Sequence, residues 1–225
     1  MPTAVELLAP AASLVLDDEI VAIALKAGRV WPSVLPTLLR ADAHVKDGAL
    51  DRGLRSLRLR GQLGPRPEDP LLAPLQEHVD VVLRGRPVLS TYLGMSLRVD
   101  LRFSSTVHHR AGTSWLSEVI TPLGAHYLLP TTGEECRQRV ADLFESVRKD
   151  GLGPLLADDA ATPPGMRLWA IGQPCEGVYR VASATPGELR TGSARQEDAG
   201  LSLTHDSSMV PSGEEVVNFL LTSPN

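Results

Sequence analysis

The chain has 225 residues, 43% of them hydrophobic and 22% charged, enough for one large domain or two small, closely joined ones with a sizeable core. Aromatic residues make up only 4%, so that core must be built mainly from leucine, valine and alanine. The formal charge of −5 gives no global attraction to nucleic acid or to an anionic membrane. The first sixteen residues carry a single charge, Glu6, and lack the basic region of a signal peptide. No apolar run approaches the roughly 20 residues needed to cross a bilayer. A cytoplasmic location is the expectation, and there Cys136 and Cys175, whose spacing matches no zinc or redox motif, would be reduced thiols. The spacing leaves open whether the two ever pair.

Residues 17–27 read as a helix, with acidic residues at the start suiting the helix dipole and Gly28 after the end. Trp31-Pro32 and Pro36 break regularity. A second helix is expected over 48–60, where Leu50, Leu54 and Leu57 form one stripe and Arg52, Arg55, Arg58 and Arg60 fall mostly away from it. A third is expected over 71–84, with Leu72, Leu75, Val79 and Leu83 on its apolar face and Pro74 in its first turn.

The period then changes. Leu97, Val99, Leu101 and Phe103 alternate with Arg98, Asp100 and Arg102, which predicts a half-buried strand. After a turn at Ala111-Gly112, residues 114–120 predict an inner strand, with Trp115 and Val119 on one face and Leu116 and Ile120 on the other. Residues 125–129 predict a third strand, and the short connections favour an antiparallel meander. The Gly- and Pro-rich stretch 151–165 reads as a linker. Strands are expected at 167–171, 177–183, 200–204 and 208–210, with a mobile polar loop over 185–199.

Two stretches repeat. Residues 130–135 read Pro-Thr-Thr-Gly-Glu-Glu and residues 211–215 read Pro-Ser-Gly-Glu-Glu, each after a strand-like segment and before an apolar helix pattern. Thr132 and Ser212 are placed to cap free N–H groups, and Glu135 and Glu215, three residues on, to reach back to the cap residue's own N–H. These four residues therefore read as helix caps, and paired carboxylates at such positions suit acid–base work poorly. The fold expected is α/β of the α+β type: a largely antiparallel sheet flanked by helices, in two quasi-equivalent halves, 1–150 and 151–225, packed as one domain.

The order of elements carries a resemblance. A helix over Asp47 to Gly61, rich in Leu and Arg and ending in Arg-Gly, leads to the amphipathic helix Leu71–Arg84, closed by Arg84-Gly-Arg-Pro87. The strand meander and the capped helix follow, then a second strand-and-helix half. In this order the chain resembles the EspG family of ESX (type VII) secretion-associated chaperones of actinobacteria. The resemblance implies a cytosolic chaperone without a cofactor that binds the apolar tip of a PPE-type protein in a PE–PPE pair and keeps it soluble.

No catalytic signature stands out. The nucleophile elbow, the dinucleotide and phosphate loops and the zinc-protease motif are all missing, so the chain is expected not to be an enzyme, with no catalytic, cofactor or metal residues. His108-His109, neighbours on a strand, point to opposite faces and cannot easily share a metal. His44, His78, His126 and His205 sit at unrelated spacings, and all read as solvated or singly hydrogen-bonded. Cys136 reads as a small buried thiol, although its place at a helix start could lower its pKa. Trp115, Val119 and Trp169 are the candidate partner contacts, because large apolar anchors make hot spots where they are exposed. A second reading takes Arg52, Arg55, Arg58, Arg60 and Arg66 as a basic cluster, with 48–60 as the recognition helix of a winged-helix DNA-binding regulator.

Overall fold

A computed structural model describes residues 12–66, 68–156, 162–197 and 200–222. Strand β1 (Ser13–Leu16) runs directly into helix α1 (Asp17–Ala27). The helix starts there because Glu19 Oε2 accepts the Leu16 N–H at 3.0 Å, and it stops at Gly28, which takes the left-handed conformation with φ 61°. Two short helices follow, α2 (Pro36–Leu39) and α3 (Ala43–Asp47), in a region where the prolines obscure any period. Helix α4 (Ala49–Leu59) is followed by α5 (Leu75–Arg84). The third helix thus begins at Leu75 and not at 71. Leu71 is instead bridged to Leu63, and Leu72 is exposed.

Strand β2 (Arg86–Gly94) follows α5 with a single residue between, and was not expected. Its Val-Leu-Ser-Thr-Tyr-Leu run has apolar residues on both faces and so shows no alternation. The strand expected over 97–103 is absent: these residues are turns and bends. Asp100 accepts the Arg102 backbone N–H at 3.0 Å and also grips its guanidinium, a local bond that competes with ladder pairing. The real strand comes later, as β3 (Ser105–Ala111), followed by β4 (Ser114–Ile120), β5 (Ala125–Thr131) and α6 (Gly133–Asp150).

The linker expected at 151–165 is partly built into the structure. Gly153–Leu155 form a 3-10 turn, with Leu152 and Leu156 buried on either side, while 157–161 lie outside the described residues. Then come β6 (Arg167–Cys175), β7 (Val178–Thr185), β8 (Glu188–Glu197), β9 (Gly200–Met209) and α7 (Gly213–Leu221). The mobile loop expected at 185–199 is therefore a turn and a ten-residue strand. Its polar composition misled because β8 is lined by small and polar residues. Leu189, Thr191 and Ala194 are nevertheless buried, and β8 is paired on both sides. The pieces at 200–204 and 208–210 belong to one strand, β9, which ends at Met209.

The fold is α+β with antiparallel strand pairs, and the chain divides into two interleaved compact units. One comprises residues 1–87 and 107–132, the other 88–106 and 133–225. The boundary expected at 150 thus differs from the division found, because α6 packs into the second unit's core.

In the first unit the strand order is β1-β5-β4-β3. One sheet face carries Val15, Leu116 and Leu128 into a core with Ile20 and Ile23 of α1, Leu57 of α4, and Leu75, Val79 and Val82 of α5. The close approach of α4 to α1 depends on Gly53, where a Cβ would lie 2.0 Å from the Asp18 carbonyl oxygen. In the second unit the order is β2-β6-β7-β8-β9. Leu89, Leu93, Leu168, Ala170, Ala182, Ala184 and Leu189 form a floor for Val140, Phe144 and Val147 of α6 and Val216, Val217 and Leu220 of α7. The alternating residues Trp169, Ile171, Tyr179 and Val181 face the other way, into a smaller cluster with Tyr92 and Leu97.

Candidate functional site

The second unit carries a groove on the sheet face opposite α6 and α7. It holds about 450 Å³ and is lined by Met95, Leu97, Trp169, Val181, Leu201 and Leu203, with Arg167 and Arg190 among its polar walls. Period-2 alternation of β6 and β7 puts Trp169 and Val181 at its floor. The 95–104 segment, folded by the Asp100–Arg102 contact, supplies one side, and β9 supplies another. Trp169 is fixed: its indole N–H donates to the Gly94 carbonyl at 3.0 Å and only 7% of the residue is exposed. The rim is the opposite, with Met95 60% and Leu203 52% exposed. A fixed aromatic floor under an exposed apolar rim suits an apolar side chain of a partner, since its burial needs little reordering. Arg190 is held by Glu188 at 2.5 Å.

The first unit holds a second constellation, buried and polar. Glu118 is fully buried on the inward face of β4, between Leu116 and Ile120. Its Oε1 accepts from Trp31 Nε1 at 2.9 Å and from His126 Nδ1 at 2.6 Å; its Oε2 accepts from Ser33 Oγ at 2.5 Å and from His109 Nε2 at 2.7 Å. On the far side of the His126 ring, Nε2 lies 2.8 Å from Asp17 Oδ1, and Asp17 Oδ2 accepts the Thr37 N–H and hydroxyl at 2.7 and 2.6 Å. An ionised carboxylate accepts only, so with both carboxylates ionised His126 carries a proton on each nitrogen. Burial opposes the ionised forms of both Glu118 and His126. The hydrogen bonds outweigh it: those from His109 and His126 hold the Glu118 carboxyl well below its ordinary range, and those to Asp17 and Glu118 raise His126.

This cluster has the residue types of acid–base chemistry, but His109, His126 and Glu118 are each 0% exposed, so no substrate reaches them. Its work is structural: it ties α1, the 31–37 segment, β3, β4 and β5 together. Sequence reasoning passed over it, reading His109 and His126 as ordinary histidines. The signal was present, because a strand that points Leu116 and Ile120 inward must point Glu118 inward too. No group of residues fit to hold a metal ion occurs among the described residues.

The residues singled out from sequence are distributed as follows. Trp115 and Val119 lie half-buried on the outward face of β4 in the first unit, and Arg110 covers the Trp115 ring at 5.6 Å from its centroid. Trp169 lies in the second unit. Ser212 Oγ accepts the Glu215 N–H at 3.2 Å, and the neighbouring Gly213 N–H donates to Glu145 Oε1 at 2.9 Å. Thr132 and Glu135 sit at the start of α6, each engaged in an interaction. Cys136 is buried and its pKa is pushed up to about 12 by burial, which overrides the neighbouring Arg139 and Arg137, so the low-pKa alternative does not hold. His108 Nδ1 lies 2.9 Å from Ser117 Oγ, and His78 Nδ1 lies 2.8 Å from Ser13 Oγ. The His205 side chain lies outside the described residues.

Helix α4 lies packed along α1. Arg52 donates to Asp18 and to the Val45 carbonyl, and Arg60 donates to the buried Glu19 and to the Leu14 carbonyl. Two of the five arginines of the basic cluster are thereby turned to internal contacts. Arg55 and Arg58 are exposed. Among the described residues, no helix is long and apolar enough to cross a membrane.

No family model matches the chain, and no curated protein matches it. Among solved structures it is similar to the Mycobacterium tuberculosis type VII secretion system chaperone EspG5, determined in complex with a PE25–PPE41 dimer. The identity is 12%, the match covers 93% of this chain and 95% of that one, and the TM-score is 0.49.

Proposed function

We propose that this chain is a non-enzymatic, cytoplasmic client-binding chaperone that covers an apolar surface of a secreted protein, a type VII substrate such as a PE–PPE pair, and keeps it soluble without a cofactor. The observation that carries this reading is the groove of the second unit, with its fixed Trp169 floor and the exposed Met95 and Leu203 at its rim. Exposed apolar side chains such as Met95 and Leu203 are a cost in water unless a partner covers them, and a client with an exposed apolar tip is an aggregation hazard until it is covered. The element order that resembles the EspG chaperones supplies the class of client.

The test is co-expression with PE–PPE pairs from the source genome, followed by size-exclusion chromatography. A stable complex is expected with at least one pair, and Leu203→Glu or Met95→Glu, both on exposed rim positions, should weaken it by more than about tenfold through the burial of a charge. Failure with every pair would overturn the reading. So would a complex indifferent to both rim changes.

A further inference from the structure

The groove runs to the edge of a sheet, and among the described residues that edge has no further strand beside it. Strand β9 stands at the end of the second unit's strand order and, among the described residues, pairs only with β8. Alternate residues of such a strand direct their N–H and C=O groups away from the ladder. Proteins ordinarily guard an edge by keeping it short, by placing charged residues or proline on it, or by bulging it. The edge strand of the first unit, β1, has four residues. In contrast, β9 has ten, Gly-Leu-Ser-Leu-Thr-His-Asp-Ser-Ser-Met, with no lysine, arginine or proline, and its one carboxylate residue, Asp206, and its bulges come after the regularly paired 200–203. Three of them, Leu201, Ser202 and Leu203, also line the groove. Unpaired backbone and apolar lining thus meet on the same residues.

We infer that β9 is a strand-addition site: an extended, alternately apolar segment of a protein partner pairs with its free edge and lays every second side chain into the groove beside Leu201 and Leu203. The backbone groups supply affinity and orientation, and the groove selects apolar side chains at alternate positions. A flexible segment suits this edge better than a second copy of the chain does. The pairing of β8 with β9 shifts register between Thr191 and Ser193 and again between Ser193 and Ala194. Such bulges twist a strand locally. A flexible segment follows that twist, whereas a second rigid β9 would have to match it along both strands. The inference deepens the client-binding reading and rests on it only for the identity of the client.

The probe is a fluorescein-labelled eight-residue peptide alternating valine and threonine, with a glutamate at each end, titrated into the full chain. Saturable binding by anisotropy is expected. Amide exchange in 201–204 should slow by about tenfold on binding, as expected for newly paired edge groups. Ser202 and Leu203 are adjacent, so only one of them directs its N–H outward, and Ser202→Pro and Leu203→Pro are both made. The variant that keeps the parent melting temperature should lose the peptide; if neither keeps it, amide exchange in the parent chain decides. Absence of binding, or binding without protection of 201–204, overturns the inference even where a PE–PPE complex forms. A chain that dimerises through β9 and excludes the peptide also overturns it. Peptide binding with protection, in a chain that takes up no PE–PPE pair, upholds the edge site and removes the proposed client.

Discussion

Removing the Glu118 carboxylate tests the buried network most sharply. Glu118→Ala leaves Trp31 Nε1, His126 Nδ1 and His109 Nε2 without their acceptor in a buried site, and the half-buried Ser33 Oγ without its own. Breaking a buried charge pair by removing one partner costs about 3–5 kcal/mol, and each stranded donor adds to the penalty unless it finds a new acceptor. We expect a loss of about 4 kcal/mol, which for a chain of this size lowers the melting temperature by about 8–16 °C.

The pH dependence has a defined sign. The Glu118 pKa is lowered on folding from its ordinary 4.5, so its contribution is present above 4.5 and is lost as pH falls through the folded value. The His126 pKa is raised from its ordinary 6.5, so its contribution is complete below 6.5 and is lost as pH rises through the folded value. Both contributions are complete between 4.5 and 6.5. The stability gap between the parent and the similar-sized Glu118→Gln, measured by urea unfolding, should therefore be widest near about pH 5.5 and narrow on either side. Thermal melts of Glu118→Ala and of the exposed control Glu134→Ala complete the experiment. A drop below about 2 °C for Glu118→Ala, or a pH-independent gap for Glu118→Gln, would refute the reasoning.

Three further outcomes follow from single contacts. Gly53→Ala places a methyl 2.0 Å from the Asp18 carbonyl and should cost about 1–3 kcal/mol by forcing α4 off α1, seen as a lower urea midpoint; an unchanged midpoint would contradict the packing. Native protein at mildly alkaline pH should label at the half-buried Cys175 and not at Cys136, whose thiol stays protonated up to about 12, while unfolded protein labels at both; equal native rates would show Cys136 to be accessible. Ser212→Ala removes the acceptor for the Glu215 N–H and should cost about 1 kcal/mol in unfolding experiments, with Ser212→Asn restoring most of it; equal loss in both variants would rule out capping as the cause.

Local signals were legible wherever the physics is local. The start and stop of α1, the hairpin turns at Gly112 and Gly124, and the Ser212 start of α7 all follow from residues within a few positions of each other. The alternation at 97–103 had the same local form, yet it was folded into turns by the contact of Asp100 with Arg102. For β8 the composition suggested a loop, because a strand paired on both sides needs little apolar surface of its own. As for the candidate site, Trp169 was legible as a large apolar residue of a strand, but nothing near it in sequence announces a groove, since its other walls come from 95–97 and 201–203.

The sequence by itself therefore determined helix α1, the Ser212-capped helix α7, the β4–β5 hairpin and the α+β class, because capping, turn chemistry and alternation act over a few residues. Only the tertiary structure decided which unit α6 joins, and that Glu118 gathers four donors from distant segments. Among the described residues, it alone left β9 paired on one side only, beside the groove. Those outcomes depend on which surfaces meet after the chain has closed long loops, and no short stretch of sequence carries that information.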